Sequence, residues 1–275
     1  MTPRCLVNGV AATSVPADDR GLRYGDGLFE TLWLHAGRVP LWERHMARLQ
    51  HGCERLGFVA PDADTLWRET LQAATGLTTA VVRITVTRGC GRRGYAPPPV
   101  PEPMRMVSAA SASHWPDDWY HAGIAMHLCG MRLAIQPALA GLKHLNRLEQ
   151  VLARSEWTDP TIAEGLMLDL EDRVACATSA NVFALIDGRL YTPPVTRCGV
   201  AGTARAQLLE QYPDTVVADL TLHDLQAADG VFLTNAVRGI VPVRQLADHV
   251  WPIPPALHRL QHAWRAAGLP GPVAA

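Results

Sequence analysis

A lysine amine that sheds its proton can form an imine with a carbonyl, and partial burial or a neighbouring positive charge frees its lone pair. Lys143, in the run GLKHLNRLEQVLARS over 141–155, is a candidate for that chemistry. The competing reading is a helix-start lysine whose stem packs while its ammonium reaches water. Three other segments carry groups that suit a phosphate. Arg48 lies in HMARLQ, and Gly199, Gly202 and Thr203 lie in CGVAGTAR, directly before a predicted helix. Backbone N–H groups at such a helix start, with a hydroxyl beside them, favour an anion. Thr234, Asn235 and Ala236 make a polar break after the strand-like VFL and add donors. One lysine with a dispersed phosphate site fits pyridoxal phosphate.

The elements that must position these groups follow from periodicity. Leu142, Leu145, Leu148, Val151 and Leu152 predict an amphipathic helix over 141–155. CLVNGVAAT predicts two short strands around an Asn8-Gly9 turn. A strand in DGLFETLWLH turns at His35-Ala36-Gly37, and a helix follows with Met46, Leu49, Cys53 and Leu56 on one stripe. A second helix is expected over Ala63–Gln72, then strands in AVVRITVTRG and MRMVSAAS. The run SASHWPDD, broken by Pro116, reads as a linker. Beyond it, GIAMHLCGMRLA and GLMLDLEDRVACATSANVFALIDGRLYTPP read as strands, with a hairpin at Asp187-Gly188. Helices are expected in GTARAQLLEQY and ALHRLQHAWRAAG, and GVFLTNAVRGIVPV reads as strand, turn and short strand. The division is a small α/β domain over 1–112, a linker over 113–120 and a larger domain over 121–275.

Several chemistries are disfavoured. GCGRRG, 89–94, matches a dinucleotide-binding pattern, but it runs into YAPPPVPEP, which cannot form the required helix. It reads better as a loop ordering Arg92, Arg93 and Tyr95, or as plain surface, with the Pro-rich 97–103 a rigid loop. The eleven histidines and six cysteines lack metal-ligand spacing, so no metal is expected. No G-x-S-x-G elbow is present. Lys plus Arg is 25 and Asp plus Glu is 26, so charge balance gives no case for nucleic acid or an anionic membrane. Without a long apolar run or paired cysteine motif, a cytoplasmic, reduced protein is expected.

RYGDGLFET, HMARLQ, TRGCGRRGY, LKHLNRLEQVLARS, ATSANVF, GVAGTAR and TNAVRGIVPV together resemble the fold-type IV pyridoxal phosphate enzymes, over about residues 4–245. KHLNRLEQ is similar to the aminodeoxychorismate lyases among them. The resemblance implies an α/β (α+β), two-domain homodimer with its cofactor cleft between the smaller and larger domains. It implies that Lys143 holds pyridoxal phosphate as an aldimine and acts as acid and base. Arg48 would bind the phosphate with Gly202, Thr203, Thr234, Asn235 and Ala236. Asn181 falls on the family's asparagine, though an ordinary strand-edge polar residue is the other reading.

The family places a glutamate against the pyridine nitrogen five residues before that asparagine, and this chain has Cys176. A thiol makes the ring a weaker electron sink. Asp172 shares a strand face with it but lies roughly 13 Å away. The implied reaction converts 4-amino-4-deoxychorismate, a dicarboxylate, to 4-aminobenzoate and pyruvate in folate biosynthesis. Arg83, Arg93 and Arg238 are candidates for the carboxylates or else surface charges, Tyr24 and His144 for the pocket wall, and Phe29 for packing on the cofactor. The alternatives are an aminotransferase for D- or branched-chain amino acids, and a cofactor-free or low-activity relative marked by Cys176.

Overall fold

The computed structural model describes residues 4–112 and 115–271. It divides into unit 1, residues 1–113 with 142–146, and unit 2, residues 114–141 with 147–275. Ser113 and His114, at the start of the expected linker, lie outside the described residues.

In unit 1, β1 (Arg4–Val7) and β2 (Val10–Ala11) form a hairpin, with Asn8 and Gly9 both at positive φ as the turn requires. A short helix α1 (Arg20–Tyr24) precedes β3 (Gly27–His35), then α2 (Trp42–Leu56), α3 (Ala63–Ala73), β4 (Thr79–Thr87) and β5 (Met104–Ser111). The antiparallel sheet runs β2-β1-β5-β4-β3. Met46, Leu49 and Cys53 of α2 are buried, as their spacing predicts, and Leu56 is half-buried. Asp62 caps α3 by accepting from Thr65 N–H at 2.8 Å. The short α1 carries no sequence periodicity and lies outside the expected elements.

Unit 2 contains α4 (Asp118–His121), β6 (Ile124–Leu128), α5 (Leu148–Arg154), β7 (Ile162–Leu168), β8 (Val174–Ala177), β9 (Asn181–Ile186) and β10 (Arg189–Thr192). It continues with α6 (Thr203–Gln211), β11 (Val216–Val217), α7 (Leu222–Gln226), β12 (Gly230–Asn235), β13 (Gly239–Leu246), β14 (His249–Val250) and α8 (Pro255–Ala266). Its mixed sheet runs β11-β10-β9-β12-β13-β6-β7-β8, with β14 beside β13. Strands buried on both faces, such as VACA and GVFLTN, read as continuous apolar runs for that reason.

The expected helix over 141–155 is corrected. Only Leu148–Arg154 is helical. Before it the backbone extends along the edge of β3 within unit 1. Phe29 N–H donates to the Lys143 carbonyl at 2.9 Å, and Leu145 N–H donates to the Gly27 carbonyl at 3.0 Å. These bonds satisfy groups that a helix would have paired four residues away. The apolar period therefore does not describe one face. Leu142 is buried, Leu145 is half-buried, and Leu148, Val151 and Leu152 are 75%, 56% and 56% exposed.

Candidate active site

Lys143 enters unit 1 on a main chain fixed at both flanks by β3. His144 pairs opposite Leu28 in this bridge. Asn146 completes the anchoring, since its Nδ2 donates to the Gly25 carbonyl at 3.2 Å. A Cβ on Gly25 would stand 2.5 Å from Asn146 Oδ1, and Gly25 has φ +66°, so the αL cap of α1 requires glycine. KHLN and RYGDG, far apart in sequence, are one local assembly.

Lys143 is half-buried, with Nζ 4.3 Å from the centroid of the Phe29 ring. Arg83 places its guanidinium carbon 3.9 Å from the same centroid. Among the described residues Arg83 has a single hydrogen bond, Nε to Thr85 Oγ1 at 3.3 Å. Arg83 is exposed and has no carboxylate partner among the described residues, and desolvation of its guanidinium beside Phe29 lowers its pKa. Two cations around one ring favour an anionic ligand.

The next residue of β3, Glu30, is buried. Burial alone would raise its carboxyl, but the Arg48 charge and bonds from His45 and Arg48 hold it down at about 2. Arg48 grips it side-on, through Nε to Oε1 at 2.8 Å and through Nη2 to Oε2. His45 Nδ1 lies 2.6 Å from Oε2. Burial pushes the His45 pKa down against the pull of Glu30, and Arg48 and Lys143 push it the same way. We therefore describe His45 as a neutral imidazole donating to a carboxylate. The pair Glu30–His45 sets the orientation of Arg48. Sequence reasoning passed over both, because Glu30 lies in an alternating strand and His45 lies beside an apolar helix stripe.

Tyr24 ends α1, its ring 5.5 Å from that of Tyr95 in an edge-on contact. Arg20 shapes the intervening loop by donating to the carbonyls of Gly94, Tyr95 and Ala96 at 3.3, 2.9 and 3.2 Å, while its Nε binds Asp26 at 2.8 Å. Arg93 in this loop is exposed and makes no hydrogen bond or ion pair among the described residues. Arg20 was another residue missed; a buried arginine inside DRGLRYGDG has no periodic signature.

Unit 2 brings Asn181, Gly202 and Thr234 together. Asn181 opens β9 directly across from Thr234 on β12. Its Nδ2 donates to the Val200 carbonyl at 3.0 Å. A Cβ on Gly202 would meet Asn181 Oδ1 at 2.0 Å, so only glycine fits at this N-cap of α6. Thr203, the first residue of that helix, is buried. The Thr234 hydroxyl is buried with no hydrogen-bond partner among the described residues. An orphaned hydroxyl and a tight glycine cradle near a helix start fit a phosphate group.

Asn235 builds the following turn, its Oδ1 accepting from the N–H groups of Val237 at 3.0 Å and Arg238 at 2.8 Å. Ala236 is half-buried between them. Arg238 is buried and donates through Nη2 to Glu164 Oε1 and Ser179 Oγ, each at 2.6 Å. The Thr178 and Ser179 hydroxyls also donate to Glu164. Burial would raise the Glu164 carboxyl, but Arg238 and the hydroxyls hold it below its ordinary value. This geometry commits Arg238 to a buried ion pair.

Cys176 belongs to a different cluster, packed with Cys129, Met167, Ala153 and Trp157. Burial pushes its thiol up to about 12, with nearby Cys198 adding to this and Arg147 opposing it. The residue is thus a neutral thiol. Asp172 offers no carboxylate in its place: it sits in the β7–β8 turn at φ +57°, 78% exposed, paired with Arg132 at 3.0 Å.

The model of the class IV amino-transferase family matches residues 27–246. The chain belongs to this family. Among class IV relatives, it is 38% identical to the aminodeoxychorismate lyase of Vibrio harveyi, over 86% of this chain and 89% of that one. It is 32% identical to a putative branched-chain-amino-acid aminotransferase of Methanocaldococcus jannaschii, over 84% and 82%. The crystal structure of 4-amino-4-deoxychorismate lyase from Pseudomonas aeruginosa superposes with a TM-score of 0.91 at 46% identity, covering 95% of this chain and 98% of that one. The two-domain α/β fold is that of the fold-type IV class. Among the described residues no helix is long and apolar enough to cross a membrane, and no cluster of three or more His, Cys, Asp or Glu could hold a metal.

Proposed function

We propose that this class IV enzyme is a pyridoxal phosphate-dependent lyase converting 4-amino-4-deoxychorismate to 4-aminobenzoate and pyruvate, a step in folate biosynthesis. The observation that carries the reading is Lys143, held on the edge of β3 with Nζ over Phe29, in a chain 46% identical to a lyase of that reaction.

Lys143 would hold pyridoxal phosphate through Nζ. Arg48, oriented by Glu30, and the donors of Gly202, Thr203, Thr234, Asn235 and Ala236 would hold its phosphate, with Asn181 bracing the segment before Gly202 through the Val200 carbonyl. Pyridoxal phosphate, when bound, supplies a ring that accepts electrons from the carbon bearing the substrate amine. Lys143 Nζ takes the proton from that carbon. It then returns the proton to the methylene carbon of the departing enolpyruvyl group, which leaves as pyruvate while the product ring becomes aromatic. Arg83, beside Phe29 without a carboxylate partner, and Arg93, with its open guanidinium, bind the two carboxylates. Arg238 positions the Ser179 turn, and Tyr24 and His144 line the pocket. Cys176, a neutral thiol where the resemblance implies a carboxylate, would leave the ring a weaker electron sink, tolerable because forming an aromatic product favours the reaction.

The enzyme acts as a homodimer, with the exposed stripe Leu148, Val151 and Leu152 of α5 covered by a second copy. Its six free cysteines suit the reducing cytoplasm.

The test supplies 4-amino-4-deoxychorismate without a keto acid. Pyruvate release that falls at least ~1,000-fold in Lys143→Ala supports the lyase. Transfer of the amine to an added keto acid, without pyruvate release, selects an aminotransferase of the kind the 32% identical relative is named for.

A further inference from the structure

Unit 2 holds a cavity of about 370 Å³ beside α8 that the chemistry above does not use. Its size falls in the range of small-molecule sites. Its floor includes Tyr120 and Trp264, both buried. Their polar atoms are engaged: Tyr120 Oη donates to the Arg238 carbonyl at 3.0 Å, and Trp264 Nε1 to the Pro270 carbonyl at 2.8 Å. The neighbouring Gln261 is also occupied, donating to the Tyr120 and Ile240 carbonyls at 3.0 and 3.2 Å and lying 3.2 Å from His258 Nδ1. The floor therefore offers apolar contact and no spare donor.

The rim is different. His121, His258, His262 and Arg265 line the opening and are exposed, and no lining residue is acidic. His258, His262 and Arg265 follow one another at four and three residues along α8, so they share a face. The histidines do not form a metal cluster. An apolar aromatic floor under a rim of N–H donors and a guanidinium matches a ring bearing a carboxylate.

We propose that this cavity is a second ligand site, for a small aromatic carboxylate whose ring enters the floor and whose carboxylate meets Arg265 and His262. The site is coupled to the Asn235–Arg238 turn. Tyr120 holds the Arg238 carbonyl, and the Pro270 carbonyl packs against Gly239, whose φ is +70°. Occupancy therefore restrains a turn whose arginine also fixes Glu164 and Ser179.

Benzoate is the probe, with benzylamine as its cationic counterpart, read by calorimetry and hydrogen exchange on the full chain with pyridoxal phosphate present. Benzoate should bind saturably, and amide exchange over 234–240 should slow at least threefold. The exposed pair Arg265→Glu and His262→Glu should weaken binding at least tenfold and abolish the slowing, with pyruvate release unchanged. Lys143→Ala should bind benzoate as the parent does, which separates this site from the lyase reading. Tyr120→Phe should bind benzoate yet lose the slowing over 234–238. No saturable binding, equal binding by the double variant, or benzylamine binding as tightly as benzoate overturns the site. Slowing over 234–238 that persists in Tyr120→Phe overturns the coupling.

Discussion

Unit 1 and unit 2 each bury a glutamate against an arginine, and they complete the pair by different means. Glu30 is gripped side-on by Arg48 and finished by a neutral His45. Glu164 takes one nitrogen of Arg238 and two hydroxyls, from Thr178 and Ser179. The first arrangement orients an arginine; the second ties together two turns, after β8 and after β12. A titratable third partner makes the first pair sensitive to mild acid. Hydroxyls give the second pair no such sensitivity. The contrast extends to the cysteine: one unit sets Lys143 and Arg83 against the same aromatic ring, while the other buries Cys176 as a neutral thiol.

Removing one carboxylate should give the largest effect on stability. Glu164→Ala strands Arg238 in the interior and should cost about 3–5 kcal/mol in urea unfolding, with most of it recovered in Glu164→Ala/Arg238→Met. Full loss without recovery would mean that the hydroxyl network, not the charge, dominates.

Acid should separate the pairs next. His45 has a folded pKa below its usual 6.5, so the unfolded chain binds the extra proton first and stability falls as pH drops below 6.5. Glu30, at about 2 against 4.5, adds a further loss of about 3 kcal/mol as pH falls from 4.5 towards 2. Glu164 is also depressed, so its stabilisation is likewise lost only below 4.5. Stability measured from pH 7 to 5 should therefore slope in the parent and flatten in His45→Gln. An unchanged slope would place the sensitivity outside the Glu30–His45 pair.

Cys176→Glu should tighten pyridoxal phosphate about tenfold while costing the cofactor-free chain roughly 1–3 kcal/mol for a larger, charged group in a packed cluster. Equilibrium dialysis and thermal melts read the two effects separately. Unchanged affinity would remove the missing carboxylate as an explanation of anything. Thr234→Val should be the mildest change. It replaces a buried hydroxyl that lacks a partner, so the cofactor-free chain should gain up to about 1 kcal/mol and phosphate-group affinity should fall. A destabilised variant would show that the hydroxyl already has a role in the empty site.

Local chemistry made much of the molecule legible. The Asn8-Gly9 and Asp187-Gly188 turns, the α2 stripe and the apolar runs of β9 and β12 are properties of short segments, which backbone sterics and side-chain period determine directly. Lys143, Arg48 and Thr234 stand out as candidates by type and order along the chain. What the sequence could not determine is anything set by contacts between distant segments. The run around Lys143 has a helical period, yet its backbone pairs with β3, because an open strand edge satisfies its N–H and carbonyl groups. The orientation of Arg48 by Glu30 and His45 needs a strand and a helix side by side. The capture of Arg238 by Glu164 spans 74 residues, and only the packed sheet makes that separation a hydrogen bond.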